Sequence, residues 1–302
     1  MPVVGKDEKP VEAKDLPENF NIALKVDDAM YIAQESDGYI KPLPGFFIKT
    51  KNGFIVSELT IVKGTKITKD EKGKAIEVPA VFPIIFYNSN GKRSYCSVKD
   101  SINFNGTSIS LRKMKVRFEE IPHTLMSYNT TKRFLKGETI EVKTLYPVLK
   151  AKQKEFVSCH WDERLYDLMA CISIATYFFD VFGVFPITWL FGAFETGKGR
   201  ALKSIVYASR KGIYWEDVTK AGVLRLAELL QPTLGIDEYQ DVEPILRGYI
   251  RGSYKDGVKS PRVEQTRDGF LLRAFGKFHP ITIASTETIE RGSFTRTIPV
   301  KM

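Results

Sequence analysis

The sequence predicts an α/β protein in which a β-rich N-terminal domain precedes an alternating core built on a parallel sheet. Three observations predict it. From about residue 20 to 120, apolar runs of strand length are broken by Asn-Gly pairs. From about 161 the apolar spacing becomes helical. Beyond 185, short apolar runs alternate with helix-length segments, the pattern of strands covered by helices on both faces.

The elements follow in order. Residues 1–19 are charged and contain Pro, which predicts a flexible tail; they lack the apolar stretch of a signal peptide. Residues 20–145 form the β-rich domain and a basic linker. Hairpin turns are expected at Asn52-Gly53, Asn90-Gly91 and Asn105-Gly106. No catalytic constellation occurs there. From Leu111 to Lys154 there are 11 Lys and Arg against 4 Glu. That stretch reads either as a nucleic-acid contact or as a solvated linker.

The core is placed at 146–302. Leu165, Leu168, Met169, Ile172 and Thr176 share one helical face, with Trp161, Asp162 and Glu163 in the first turn and Gly183 closing the segment. "FPITWLF" (185–191) is a short buried strand, with Pro186 tolerated near its start. It runs into a glycine-rich loop, and "RALKSIVYASRKG" (200–212) continues as a helix stopped at Gly212. "GIYWEDV" (212–218), "AGVLRLAELLQ" (221–231) and "PTLGIDEYQD" (232–241) supply a strand, a helix and a strand.

Composition narrows the partners. The 302 residues carry a formal charge of +9 and a pI near 9.2, which favours polyanions. Three separated cysteines, Cys96, Cys159 and Cys171, argue against a disulfide scaffold and for a reducing, cytoplasmic setting. Cys159-His160 lacks two further ligands at zinc spacing. The longest apolar run, 168–179, has 12 residues where a membrane span needs about 20, so no membrane partner is expected.

The chemistry concentrates in "FGAFETGKGR" (191–200). Gly192, Gly197 and Lys198 match the phosphate-binding pattern G-x-x-x-x-G-K-[ST], and Gly199 stands where a Ser or Thr would hold magnesium. Strand, glycine loop and helix are the context this motif requires, because converging N–H groups and the helix N-terminus bind phosphate. Thr196 precedes Gly197 and cannot simply replace the missing hydroxyl. A water can take that place, since Mg²⁺ keeps several. Nucleotide binding is therefore expected to survive, with hydrolysis slowed or lost. Asp237-Glu238, 39 residues after Lys198, closes an apolar strand as a Walker B pair does. In that reading Asp237 holds Mg²⁺ and Glu238 orients water; the bland reading is a strand entering an acidic turn. "FHPITIASTETI" (278–289) delivers Ser285 and Thr286 at a strand end, a place for a γ-phosphate sensor. Arg291 and Arg296 precede a final strand; either is an arginine-finger candidate, or both are surface arginines.

Together, the helix with Tyr166, Thr176 and Tyr177, Pro186, the glycine loop and the Asp237-Glu238 strand resemble the AAA+/helicase-like P-loop ATPases of phages, plasmids and other mobile elements. The resemblance covers about half the chain, roughly 161–302, and does not extend to the N-terminal domain. It implies an ASCE-type P-loop NTPase sheet, ATP and Mg²⁺ as cofactors, and a homo-oligomeric ring, a hexamer being one form, on single- or double-stranded DNA. It further implies that ATP sits on 192–200 (Gly192, Thr196, Gly197, Lys198, Gly199, Arg200), with Ser285 as sensor and Arg296 or Arg291 reaching a neighbour's γ-phosphate. The segment 251–262 becomes a channel-facing loop whose Arg251, Lys255, Lys259 and Arg262 meet the DNA backbone. The helical lid of that family is not found before Met302.

Two functions follow as expectations. One is a DNA-dependent helicase-like ATPase of mobile-element replication. The other is a degenerate P-loop module that binds DNA or a partner with weak or no hydrolysis. A virion-associated structural role leaves the ordered motif series unexplained.

Overall fold

The computed structural model describes residues 21–302 apart from 27–28, 33–38, 41–45, 51–52, 70–71, 73, 90, 98–100, 105–106, 111–115, 118–127, 160, 217–218 and 267–268. The expected tail, Asn52, Asn90, the Asn105-Gly106 turn, His160 and much of the basic stretch before 128 lie outside the described residues. The chain divides into two units, Met1–Thr139 and Ile140–Met302.

The first unit contains β1 (Asn21–Val26), β2 (Ala29–Ile32), β3 (Tyr39–Ile40), β4 (Phe46–Thr50), β5 (Gly53–Lys69), β6 (Ala75–Ser89), β7 (Lys92–Ser97), β8 (Ser101–Phe104), β9 (Thr107–Ser110), β10 (Val116–Arg117) and α1 (Tyr128–Leu135). An antiparallel sheet runs β2-β1-β5-β6-β7, with β4 also on β5. Its spine is the long β5–β6 hairpin, in register from Ile55↔Ser89 to Lys69↔Ala75. The two-residue period shows in β5, where Ile55 and Ser57 are buried and Phe54 and Val56 exposed. Arg93 on β7 reaches the carbonyls of Phe134 and Glu138 (both 2.7 Å) and so ties α1 to the sheet.

The second unit is an α/β layer structure. Its elements are α2 (Val142–Phe156), α3 (Arg164–Ala175), β11 (Ile187–Phe191), α4 (Lys198–Tyr207), β12 (Ile213–Trp215), α5 (Lys220–Leu230), β13 (Leu234–Ile236), α6 (Pro244–Gly252), β14 (Lys259–Thr266), β15 (Gly269–Gly276), β16 (Ile281–Ser285), α7 (Arg291–Phe294) and β17 (Thr297–Lys301). Five strands form one sheet in the order β12-β13-β16-β11-β17, every pair parallel. β16 therefore separates β11 from β13.

Both faces of that sheet are covered, which is why its strands read as unbroken apolar runs. On one face Ile187, Trp189, Ile236, Ile281 and Ile283 pack with Val223 and Ala227 of α5 and Leu246 and Ile250 of α6. On the other, Leu190, Ala284 and Val300 pack with Met169 and Ile172 of α3 and Leu202 and Ile205 of α4. Among the described residues no helix is long and apolar enough to cross a membrane.

Three expectations about elements change. The helix expected from 161, with Trp161, Asp162 and Glu163 in its first turn, begins only at Arg164, ends at Ala175, and tightens into a 3-10 turn over Thr176–Val181. The Thr176 hydroxyl causes the tightening: it donates to Ser173 O (2.7 Å) and accepts the Arg210 N–H (2.9 Å). The basic stretch contains α1 and α2 rather than a plain linker. The segment 251–262 is not one loop: Arg251 lies in the last turn of α6, Lys255 forms an isolated antiparallel bridge with Val184, and Lys259 and Arg262 belong to β14. β14 pairs antiparallel with β15 from Lys259↔Gly276 to Thr266↔Gly269.

Candidate functional site

The glycine loop leaves the C-terminal end of β11 and returns as α4. Gly197, the residue before α4, has φ 86°, the left-handed region in which glycine is unstrained. This turns the chain so that Lys198 opens the helix. The Lys198 side chain is buried, and its Nζ donates to Gly192 O (3.0 Å) and Ala193 O (2.5 Å). The Thr196 hydroxyl is also spent within the loop, on Ala193 O (3.0 Å).

β13 ends next to the loop. Asp237 Oδ1 accepts the Glu238 N–H (3.0 Å), and its Oδ2 accepts the Tyr214 hydroxyl (3.0 Å). Glu238 itself takes φ 45°, is exposed, and accepts a hydrogen bond from the Gln240 side-chain amide. Gln240 Oε1 accepts the Thr286 N–H (3.3 Å), which links this turn to the end of β16. Burial and the hydrogen bond to Asp237 push the Tyr214 phenol well above its ordinary pKa, so it stays a donor at neutral pH.

Lys198, Gly199, Arg200, Asp237, Glu238 and Trp161 line a common cavity of about 960 Å³. It lies outside the carboxyl ends of the parallel strands, where open α/β sheets bind ligands. Gly192, Thr196 and Gly197 belong to the loop that forms its wall. Phe194 (76% exposed) and Trp161 (60% exposed) put two aromatic faces at this cavity.

The other expected residues lie elsewhere. Ser285 is buried and fully engaged: it accepts Trp189 Nε1–H (2.8 Å) and donates to Glu287 O (2.8 Å). That chain of bonds turns its hydroxyl inward, and it is not among the residues lining the cavity. Arg296 sits at the amino end of the sheet, where its carbonyl accepts the Ile187 N–H (3.0 Å), and its guanidinium covers the Tyr254 ring at 5.2 Å. Arg291 is exposed at the start of α7, in the connection from β16 to β17. Neither meets the glycine loop of its own chain. Arg251 faces Glu290 at 4.0 Å, and Lys255 and Lys259 are exposed, whereas the Arg262 side chain lies outside the described residues.

Tyr214, Gln240 and Trp161 escape the sequence reading. Trp161 is visible there only as a helix-start residue. Tyr214 touches the acidic pair from the neighbouring strand β12, a relation that carries no sequence period, and Gln240 touches it from two residues further along the same turn.

The donor set fits a hard cation beside a phosphate. Asp237 keeps free lone pairs on both oxygens beyond its two hydrogen bonds, and it stands against the start of α4. No family model and no curated protein matches the chain. Among solved structures, the apo A form of the NrS-1 C-terminal region is similar at a TM-score of 0.33 and 11% identity, over 73% of this chain. The match spans 56% of the length of that C-terminal region.

Proposed function

We propose that the second unit is a P-loop nucleotide-binding domain of the ASCE/AAA+ type, and that the protein is an ATP- and Mg²⁺-dependent, DNA-stimulated helicase-like ATPase of mobile-element replication. The observation that carries this reading is the meeting of Lys198 and the Asp237-Glu238 pair on one cavity, at the carboxyl ends of two strands separated by a third. In this reading the Lys198 ammonium leaves the carbonyls of Gly192 and Ala193 for the β- and γ-phosphates. The N–H groups at the start of α4 complete the cradle. Asp237 would hold Mg²⁺, and the ion would supply positive charge beside the phosphates. Glu238 orients a water and draws its proton, with Gln240 fixing the carboxylate. Trp161 takes the face of the base.

Arg296, at the opposite end of the sheet, acts on nucleotide only in a neighbouring copy, with exposed Arg291 as the other candidate, so the reading includes a homo-oligomeric ring. Lys255 and Lys259, with Arg251 and Arg262, offer charge to a DNA backbone, in keeping with the pI of 9.2.

Gly199 favours a second reading, in which nucleotide is bound and turnover is weak or absent. The test is ATP hydrolysis with Mg²⁺, with and without single-stranded DNA, beside Lys198→Ala and Glu238→Gln. Turnover that rises with DNA and vanishes in both variants supports the ATPase. Binding without turnover supports the second reading, and no ATP binding at millimolar nucleotide ends both.

A further inference from the structure

Gly199 looks like a lost magnesium ligand, but its surroundings give it another role. A Cβ at this position would lie 2.9 Å from Asp237 Oδ2, closer than carbon and oxygen tolerate. The carboxylate already fills the space into which a serine or threonine side chain would project. It does not rest there by chance. The Tyr214 hydroxyl holds the same Oδ2 at 3.0 Å and lies 3.1 Å from Glu216 Oε1. The ammonium of Lys203, on α4, covers the Tyr214 ring at 4.3 Å and pairs with Glu216 at 3.8 Å. One phenol thus connects the strand that carries it to the acidic strand and, through Lys203, to the helix after the glycine loop.

Resting on the nucleotide-binding reading above, we propose that Asp237 takes over the place of the hydroxyl that Gly199 lacks, and that Tyr214 is the positioning residue that aims it there. Glycine at 199 is then a requirement of the site. A side chain at 199 turns the Asp237 carboxylate away and breaks its bond to Tyr214. Removing the phenol oxygen leaves the carboxylate free to rotate out of the metal position. Groups behind a metal ligand typically contribute 10–100-fold to metal affinity.

The experiment is ATP binding by calorimetry in Mg²⁺ and in EDTA, for the full chain and for Tyr214→Phe, Gly199→Ser and Gly199→Ala. The wild type should bind ATP more tightly with Mg²⁺. Tyr214→Phe should keep its affinity in EDTA, which also reports an intact fold, and lose about tenfold of the Mg²⁺ enhancement. Both Gly199 variants should lose the enhancement, the serine no less than the alanine. An undiminished enhancement in Tyr214→Phe overturns the proposal alone, as does a gain in Gly199→Ser where Gly199→Ala loses. Should Tyr214→Phe fail to fold, the Gly199 pair decides. Failure of the wild type to bind ATP in either buffer overturns the nucleotide reading and this proposal with it.

Discussion

The two ends of the parallel sheet in the second unit are built on opposite principles. At the amino end, polar side chains are buried and committed. Arg210 donates to Gln231 O (3.2 Å), Lys211 to Leu230 O (3.4 Å), and His279 lies 2.9 Å from Pro232 O and 3.3 Å from the Tyr249 hydroxyl. All three are at most 9% exposed. At the carboxyl end, Asp237, Glu238 and Arg200 stand at an open cavity, and Lys198 is held by carbonyls of its own loop. The amino end ties strands to one another, whereas the carboxyl end keeps charge available. Buried groups that lose a partner cost stability; groups aimed at a cavity cost binding when removed.

The largest effect that sharpens this contrast is Lys198→Ala. It should lower ATP affinity by about 10–100-fold, the worth of hydrogen bonds from a charged group, and shift the unfolding temperature little. Titration calorimetry beside a thermal melt reads both. A large melt shift with unchanged affinity would break the division between the ends.

Ser285→Ala tests the same division at a residue on the carboxyl side that is nevertheless committed. It strands the buried Trp189 N–H, so unfolding in urea should show a loss of about 1–3 kcal/mol. ATP affinity should stay within about twofold, well under 1 kcal/mol. A tenfold fall in affinity would place the Ser285 hydroxyl at the nucleotide.

At the amino end, burial lowers the His279 pKa from 6.5 to about 4. The fold holds a neutral imidazole, and the unfolded chain binds the proton more readily. Its contribution is therefore complete above pH 6.5 and is lost as pH falls from 6.5 toward 4. The slope reaches about 1.4 kcal/mol per pH unit. Urea unfolding of wild type and His279→Asn across that range isolates it; parallel pH profiles would refute the assignment.

The smallest effect is expected for Arg251→Ala. Its ion pair with Glu290 is partly exposed, so stability should change by less than about 0.5 kcal/mol. If Arg251 meets DNA, the slope of log affinity against log salt should become shallower by about one.

The sequence reveals the glycine loop, Lys198 and the Asp237-Glu238 strand because each rests on local chemistry: a buried strand must be apolar on both faces, and a phosphate loop needs glycine. It conceals α2, since Pro147 stands inside the helix as a nominal breaker and lysines blur its apolar face. The β14–β15 pair is hidden because its Lys- and Arg-bearing first strand reads as a loop. Ser285 misleads because its place at a strand end is local, while its partner Trp189 lies 96 residues away in sequence. Tyr214 is hidden for the same reason. Its meaning depends on β12 lying beside β13, which only the folded sheet establishes.

The exposure of Trp161 has an optical consequence. The chain has three tryptophans: Trp189 is sealed in the core, Trp215 packs partly buried against it, and Trp161 faces the cavity. An indole in contact with water emits further to the red than one in apolar surroundings and is readily quenched by dissolved iodide or acrylamide. The red edge of the emission spectrum therefore belongs to the cavity and the blue edge to the core. A molecule entering the cavity changes the first and leaves the second, and unfolding merges the two. The protein is thus its own label-free gauge of occupancy and of folding, read in a single spectrum.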